Sequence, residues 1–299
     1  MRRAAISLLA LLYLLTPAGG CSSAPDGAPQ TRDAALQAVL REALGQPDGQ
    51  LSCTALGALG RLNARERGIR DLTGMQCLTG LTWLNLHRND IEDVTALAEL
   101  SRIEVLDLGG NFVSDPSPLA GLPVLSRISL SGNGIDDIGW LARTRSLNQV
   151  SLSRNEIRDL SPLARLAGLE TLFLYANHIE DLTPLAGLKR LRRLSLSENR
   201  IADLKPLAGL QQLTELRLGQ NRIEDLTPLS GLGRLEQLQL TQNHVRDLSP
   251  LVRNPGLGRG DVLFVARNPI DCFTQKGNLE ALRSRGVTVH VDCKDAPAP

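Results

Sequence analysis

Residues 169–188, LETLFLYANHIEDLTPLAGL, decide how the chain folds, because the same text returns every 22 residues. LRRLSLSENRIADLKPLAGL begins at Leu191, LTELRLGQNRIEDLTPLSGL at Leu213 and LTWLNLHRNDIEDVTALAEL at Leu81. Within one unit the apolar positions Leu169, Leu172, Leu174, Ile179, Leu182, Leu185 and Leu188 fit no single helical or strand period. The alternation Leu172, Phe173, Leu174, Tyr175 predicts a short strand with the leucines inward and Phe173 and Tyr175 outward. Thr183 followed by Pro184 reads as a helix N-cap with a first-position proline, and Gly187 ends that turn. One unit cannot bury its leucines alone, so neighbours must stack strand beside strand into a solenoid with a continuous apolar interior.

Two polar columns run through the repeats. Asparagine recurs at Asn89, Asn111, Asn133, Asn155, Asn177, Asn199, Asn221 and Asn243, then at Asn268 after a three-residue insertion around residues 255–260, with Arg67 in the equivalent place of the first turn. Aspartate recurs at Asp71, Asp93, Asp115, Asp137, Asp159, Asp181, Asp203, Asp225 and Asp247. Such a column invites a calcium or acid-catalysis reading. A short carboxylate just before a Ser/Thr-Pro turn caps local backbone N–H groups instead. Acid-base chemistry needs two carboxylates in different environments, and repetition supplies many in the same one. Most units keep the pattern, with departures at Pro116 and at Gly139 and Trp140, where the Ser/Thr-Pro turn is missing.

The LxxLxLxxN core and the IxDLxPL tail resemble the leucine-rich repeat family. Their 22-residue length is most similar to its internalin-like and phosphatase-regulator-like subfamilies. The resemblance implies an α/β repeat solenoid: a horseshoe with a parallel concave β-sheet, short 3₁₀ turns on the convex side, a helical N-terminal cap and a small C-terminal cap. It also implies that the asparagine amides form a ladder satisfying backbone groups where the chain leaves each strand. Arg67 leaves the first rung unassigned.

The expected organisation is a signal peptide at 1–20, a tether at 21–32, an N-terminal cap at 33–58, repeats at 59–257, a last repeat with a C-terminal cap at 258–293, and a polar tail at 294–299. Arg2, Arg3, an apolar run from Ala4 to Leu15 and small residues before Cys21 form a secretory signal too short to span a membrane. The signal resembles that of bacterial lipoproteins, which implies acylation of Cys21 and, since Ser22 is not aspartate, anchoring at the outer membrane or cell surface. Ala18 stands where those signals usually carry leucine, so cleavage by ordinary signal peptidase, giving a periplasmic or secreted chain, is the other reading. The four remaining cysteines lie in two end pairs. Some ten turns at about 4.8 Å per strand put the ends roughly 45 Å apart. Disulfides are then feasible for Cys53 with Cys77 and for Cys272 with Cys293, where they would staple the ends of the array. Buried free thiols are the alternative.

Charge and motifs exclude several functions. The 299 residues carry a formal charge of +1, and loss of Arg2 and Arg3 with the signal takes it to about −1. No basic field for a nucleic-acid partner survives. No HExxH, CxxC, phosphate loop or GxSxG turn occurs, so neither an enzyme nor a cofactor is expected. His178 and His244 read as loop filling, and His87 as outward beside no second ligand.

In the family, strand residues between the leucines line the concave face. Carried over by position, that face includes Trp83, Phe173, Tyr175, Arg193, Glu215, Arg217 and Phe264. Four of the seven aromatics after the signal, Trp83, Phe173, Tyr175 and Phe264, fall at outward strand positions where core packing cannot explain them. Serines on both flanking strands are expected to leave Phe173 and Tyr175 standing proud. Aromatics and arginines are what binding hot spots favour. The reading is a non-enzymatic, monomeric surface scaffold that recognises a protein or other macromolecule and is held to the membrane by a lipid anchor. Alternatives are a structural envelope lipoprotein without a specific ligand and a phosphatase-regulator-like repeat protein.

Overall fold

The computed structural model describes residues 30–293, so the signal, Cys21, most of the tether and the tail lie outside the described residues. Eleven short parallel strands form one sheet in strict sequence order, each paired with the next. They are β1 (Arg61–Asn63), β2 (Trp83–Asn85), β3 (Val105–Asp107), β4 (Arg127–Ser129), β5 (Gln149–Ser151), β6 (Thr171–Phe173), β7 (Arg193–Ser195), β8 (Glu215–Arg217), β9 (Gln237–Gln239), β10 (Val262–Phe264) and β11 (Thr288–His290). The register stacks like on like, as in Leu172 opposite Val150 and Leu194. Each leucine column is therefore a continuous buried ridge, with Leu169, Leu172, Leu174, Ile179, Leu185 and Leu188 fully inaccessible. This is the expected leucine-rich repeat solenoid.

Too few residues remain after each strand for a long helix, and the return is a 3₁₀ turn such as Thr183–Leu185. One expectation is corrected here. Leu182, not Thr183, holds the cap position, and the Oδ1 of Asp181 accepts from Thr183 N–H at 2.8 Å. The same bond recurs from Thr73 N–H to Asp71 through Ser249 N–H to Asp247, including Lys205 N–H to Asp203. Because the aspartate supplies the cap, the turn does not depend on Ser/Thr-Pro. It forms at Gly139–Arg143, where Gly139 N–H reaches Asp137 at 2.7 Å and Trp140 is buried. Ser117 and Pro118 keep it beside Pro116, which is buried at a leucine position. In the inserted repeat the turn becomes a short α-helix at Ser249–Val252.

The ladder amides work as expected from the resemblance. Asn177 accepts from Ile157 N–H at 3.0 Å and donates to the carbonyls of Leu152 at 3.0 Å and Leu174 at 3.1 Å, tying two turns together. The residue before each rung has positive φ, from 53° at Ala176 to 68° at Gly110. For an L-residue that conformation costs about 1 kcal/mol, and the amide bonds on either side hold it. Arg67 is outside this scheme. Its backbone N–H is accepted by Asn89 while its guanidinium pairs at 2.8 Å with Glu42 of the first helix.

The ends are closed by different devices. Helix α1 (Ala34–Leu44) buries Leu36, Val39 and Leu40 and ends at Gly45, and helix α2 (Cys53–Gly57) follows. Asp33 does two jobs: Oδ1 caps α1 through Leu36 N–H at 2.9 Å, while Oδ2 accepts from Arg70 N–H at 2.7 Å and Asp71 N–H at 3.1 Å. Cys53 and Cys77 are bonded, with Cα atoms 4.8 Å apart, joining α2 to the first 3₁₀ turn. At the other end Cys272 is bonded to Cys293 (Cα atoms 5.6 Å apart), bracketing a helix at Lys276–Ser284 and β11. Asn254, absent from the expected ladder, is 0 % exposed and donates to the carbonyls of Leu229 and Leu232, which fastens the insertion.

Candidate binding face

Alternation along each strand sends the middle residue into the core and the flanking ones outward, and the in-register pairing stacks these into columns. Phe173 thus lies between Ser151 and Ser195 in the column that continues through Arg217 and Gln239 to Phe264. The seven sequence-predicted residues do lie at outward strand positions or, for Tyr175, just beyond one. They do not form one cluster.

Phe173, Tyr175, Arg217 and Phe264 line a shared open hollow of about 730 Å³, together with Ser151, Ser153, Ser195, Ser197, Glu198, Gly219, Gln220, Gln237 and Gln239. Arg193, Glu215 and Trp83 are outside this lining. Glu215 accepts from Arg217 Nε at 2.6 Å, and Arg193 donates to Thr171 Oγ1 at 3.3 Å. Trp83 sits on β2 with the Arg61 guanidinium 4.5 Å from its ring centre. Four strand intervals separate it from Phe173, about 19 Å at a spacing of roughly 4.8 Å.

Phe173 and Tyr175 do not stand proud: both are half-buried. The serine neighbours do leave room, but longer side chains on the diagonal fill it. The Arg193 guanidinium lies 5.9 Å from the Phe173 ring centre and that of Arg154 lies 5.6 Å from Tyr175. Phe264 stacks on His290 with ring centres 4.6 Å apart and planes within 7°. Among the described residues the most exposed aromatics are elsewhere, Phe112 at 62 % and Phe273 at 80 %.

Sequence reasoning missed three features. Phe112 borders a second hollow of about 690 Å³ on the flank where the chain leaves β1 to β3, among Arg70, Asp71, Asp90, Glu92 and Asp93. The available signal was an aromatic directly after a ladder asparagine, where neighbouring repeats place Asp90 and Gly134. His87 has a carboxylate beside it after all, its Nδ1 3.5 Å from Asp107 Oδ1. His178 is more than filling, with Nε2 2.6 Å from Glu156 Oε2 of the preceding repeat.

The aspartate column has the electrostatics of a capping device. The hydroxyl and then the N–H of the residue two positions on hold the carboxyls of Asp93, Asp159, Asp181, Asp225 and Asp247 below their usual pKa. At Asp115 the N–H of Ser117 contributes most, then its hydroxyl. Burial works against the Asp33 carboxylate, yet the N–H groups of Arg70, Leu36 and Asp71 bring its pKa down. Among the described residues no group of three or more His, Cys, Asp or Glu is arranged to hold a metal ion. Nor is any helix among them long and apolar enough to cross a membrane.

Residues 145–253 are matched by overlapping copies of a family model for leucine-rich repeats. A search of curated proteins found no match. Among solved structures, internalin C2 of Listeria monocytogenes is 34 % identical, with 71 % of this chain aligned to 96 % of that one at a TM-score of 0.69. A second internalin from the same organism, InlF, is 26 % identical over 87 % of this chain and 90 % of its own, at a TM-score of 0.58. A leucine-rich repeat protein of Leptospira interrogans shares the fold at 24 % identity, covering 81 % of this chain and 63 % of that one, with a TM-score of 0.70. The chain belongs to the leucine-rich repeat family and is similar within it to the bacterial internalins.

Proposed function

We propose that this protein is a non-enzymatic cell-surface scaffold that binds a macromolecular partner, in the first instance a protein, through its concave face. One observation carries the reading: departures from a serine-rich outward pattern converge on a single hollow, with Phe173 and Tyr175 at one end, Phe264 at the other and Arg217 between. Aromatics beside an arginine are hot-spot chemistry. A sheet whose backbone groups are paired strand to strand is already ordered, so binding costs little conformational entropy. Trp83, Arg193 and Glu215 form the outer parts of the proposed interface.

Export is supported by the two disulfides, which are rare in reducing compartments, and the same feature disfavours a phosphatase-regulator role. The lipid anchor on Cys21 and an outer-membrane or cell-surface location belong to this proposal, as does a monomeric state. A thioether-linked diacylglycerol mass on the mature N-terminal peptide is the expected result, and an unmodified peptide would remove the anchor. A role in adhesion follows from similarity to internalins and is an analogy at the level of fold.

The test is a crosslinking pull-down from intact cells and their surroundings with the native protein and a Phe173→Ser, Tyr175→Ser double variant of matched melting temperature. A discrete partner captured by the native protein and lost in the variant is expected. Equal recovery of diffuse envelope material by both would favour the structural envelope reading.

A further inference from the structure

The hollow on the concave face has a hydrogen-bonding polarity of its own. Gly219 N–H donates to the Ser197 hydroxyl at 3.0 Å and to Gln239 Oε1 at 2.8 Å. With its oxygen accepting that bond, the Ser197 hydroxyl donates across 3.3 Å to the same Oε1. The absence of a side chain at Gly219 gives the Gln239 carboxamide this place, since a Cβ there would push it aside. This network occupies the carboxamide oxygen and leaves the two N–H groups of Gln239 Nε2 as fixed donors at the hollow.

Charge is cancelled around that point. Arg217 is held through Nε by Glu215, with its terminal nitrogens still available as donors, and Glu198 lines the same hollow while accepting from Gln220 at 2.9 Å. The rings at the two ends are held from one side. Arg154 lies over Tyr175 and His290 stacks on one face of Phe264, whose partner on the other neighbouring strand is Gln239. Tyr175 and Phe264 are four strand intervals apart, about 19 Å.

This chemistry selects among ligands. An anionic ligand would meet Glu198 and an arginine already paired. An amphipathic helix needs a continuous apolar stripe, and here serine and glutamine separate the aromatics. An added peptide strand needs unpaired backbone at a sheet edge, whereas these strands are paired on both sides. A sugar ring has C–H faces that lie flat on aromatic rings and a rim of hydroxyl or acetamido groups that both give and accept hydrogen bonds. We propose that the hollow binds an uncharged oligosaccharide carried by the partner macromolecule, with Tyr175 and Phe264 as stacking platforms and Gln239 Nε2 as donor to a carbonyl or hydroxyl oxygen. The proposal rests on the concave face being the binding face.

The test is isothermal titration of the protein with three tetrasaccharides, one built of N-acetylglucosamine, one of glucose and one of galacturonic acid, repeated for Phe264→Ala and Gln239→Leu variants of unchanged melting temperature. The two neutral probes are expected to bind, the acetylated one more tightly and the uronate weakest. Each variant should weaken the neutral probes about tenfold, as loss of one stacked ring or one fixed donor pair implies. Failure of both neutral probes to bind, or equal binding by the variants, overturns the assignment. Enzymatic removal of glycans from a captured partner separates the two levels. Capture that survives deglycosylation but fails in the Phe173→Ser, Tyr175→Ser variant rejects the oligosaccharide and keeps the concave face; capture unaffected by either rejects both.

Discussion

The flank of the solenoid and its concave face are built from the same repeats under opposite rules. On the flank an asparagine and an aspartate recur turn after turn with the same hydrogen bonds, from Asn89 and Asp93 to Asn243 and Asp247. On the face, one strand interval replaces Ser151 by Phe173, and the next restores Ser195. The asparagine column satisfies buried backbone of adjacent turns, so a loss there is felt by two turns at once, whereas each aspartate caps its own turn at the surface. The face column touches solvent and its neighbours only, so it is free to vary and to specialise.

The largest expected effect breaks the flank. Asn177→Ala leaves Ile157 N–H and the carbonyls of Leu152 and Leu174 without their amide partner, and should cost about 3 kcal/mol or more in denaturant unfolding. A cost below about 1 kcal/mol would mean that water replaces the rung. Replacing Cys272 and Cys293 by alanine should cost about 3 kcal/mol in the chain-entropy model. Hydrogen exchange should localise that loss, with β10 and β11 opening while β5 to β7 stay protected, because repeats contact only their neighbours. Uniform loss of protection would show that the array unfolds as one unit.

A smaller effect concerns the aspartates and pH. Their folded pKa values lie below the ordinary value of about 3.9, so the stability they contribute is complete above that value and is lost as pH falls through the lower folded values. Melting temperature should hold steady from pH 7 to about 5 and drop below about pH 4. Asp181→Ala should cost about 1 kcal/mol at neutral pH and flatten part of that acid drop. The smallest expected stability change comes from the face: Phe173→Ser with Tyr175→Ser should cost about 1 kcal/mol or less while abolishing partner capture.

The same contrast explains what could be read in advance. Positions constrained 22 residues apart were legible, because Leu172, Asn177 and Asp181 each recur in one physical role. The end disulfides were legible too, since stacking distance leaves few pairings. Contacts made by single residues were not: whether Arg193 lies across Phe173, or Gln239 folds over Gly219, depends on rotamers that no period encodes. Asp181 caps a local N–H group as expected, while Thr183, also read as a cap, stands one position inside the turn and donates to that carboxylate, because serine, threonine and aspartate can each cap a turn. Asp33 joins α1 to the first repeat through both carboxylate oxygens, and nothing in its place before Ala34 encodes the second of those contacts.

The central claim, that the varied face and not the repeated frame meets the partner, is tested most directly by site-specific photocrosslinking. A photoreactive side chain would be placed at Ser195 on the concave face, at Glu180 on the flank, or at Ala186 on the convex turn, and adducts compared after irradiation of intact cells. Adducts to one partner from position 195, with little or none from 180 and 186, are the predicted result. Equal adducts from all three, or a partner captured from the convex turn alone, would contradict it.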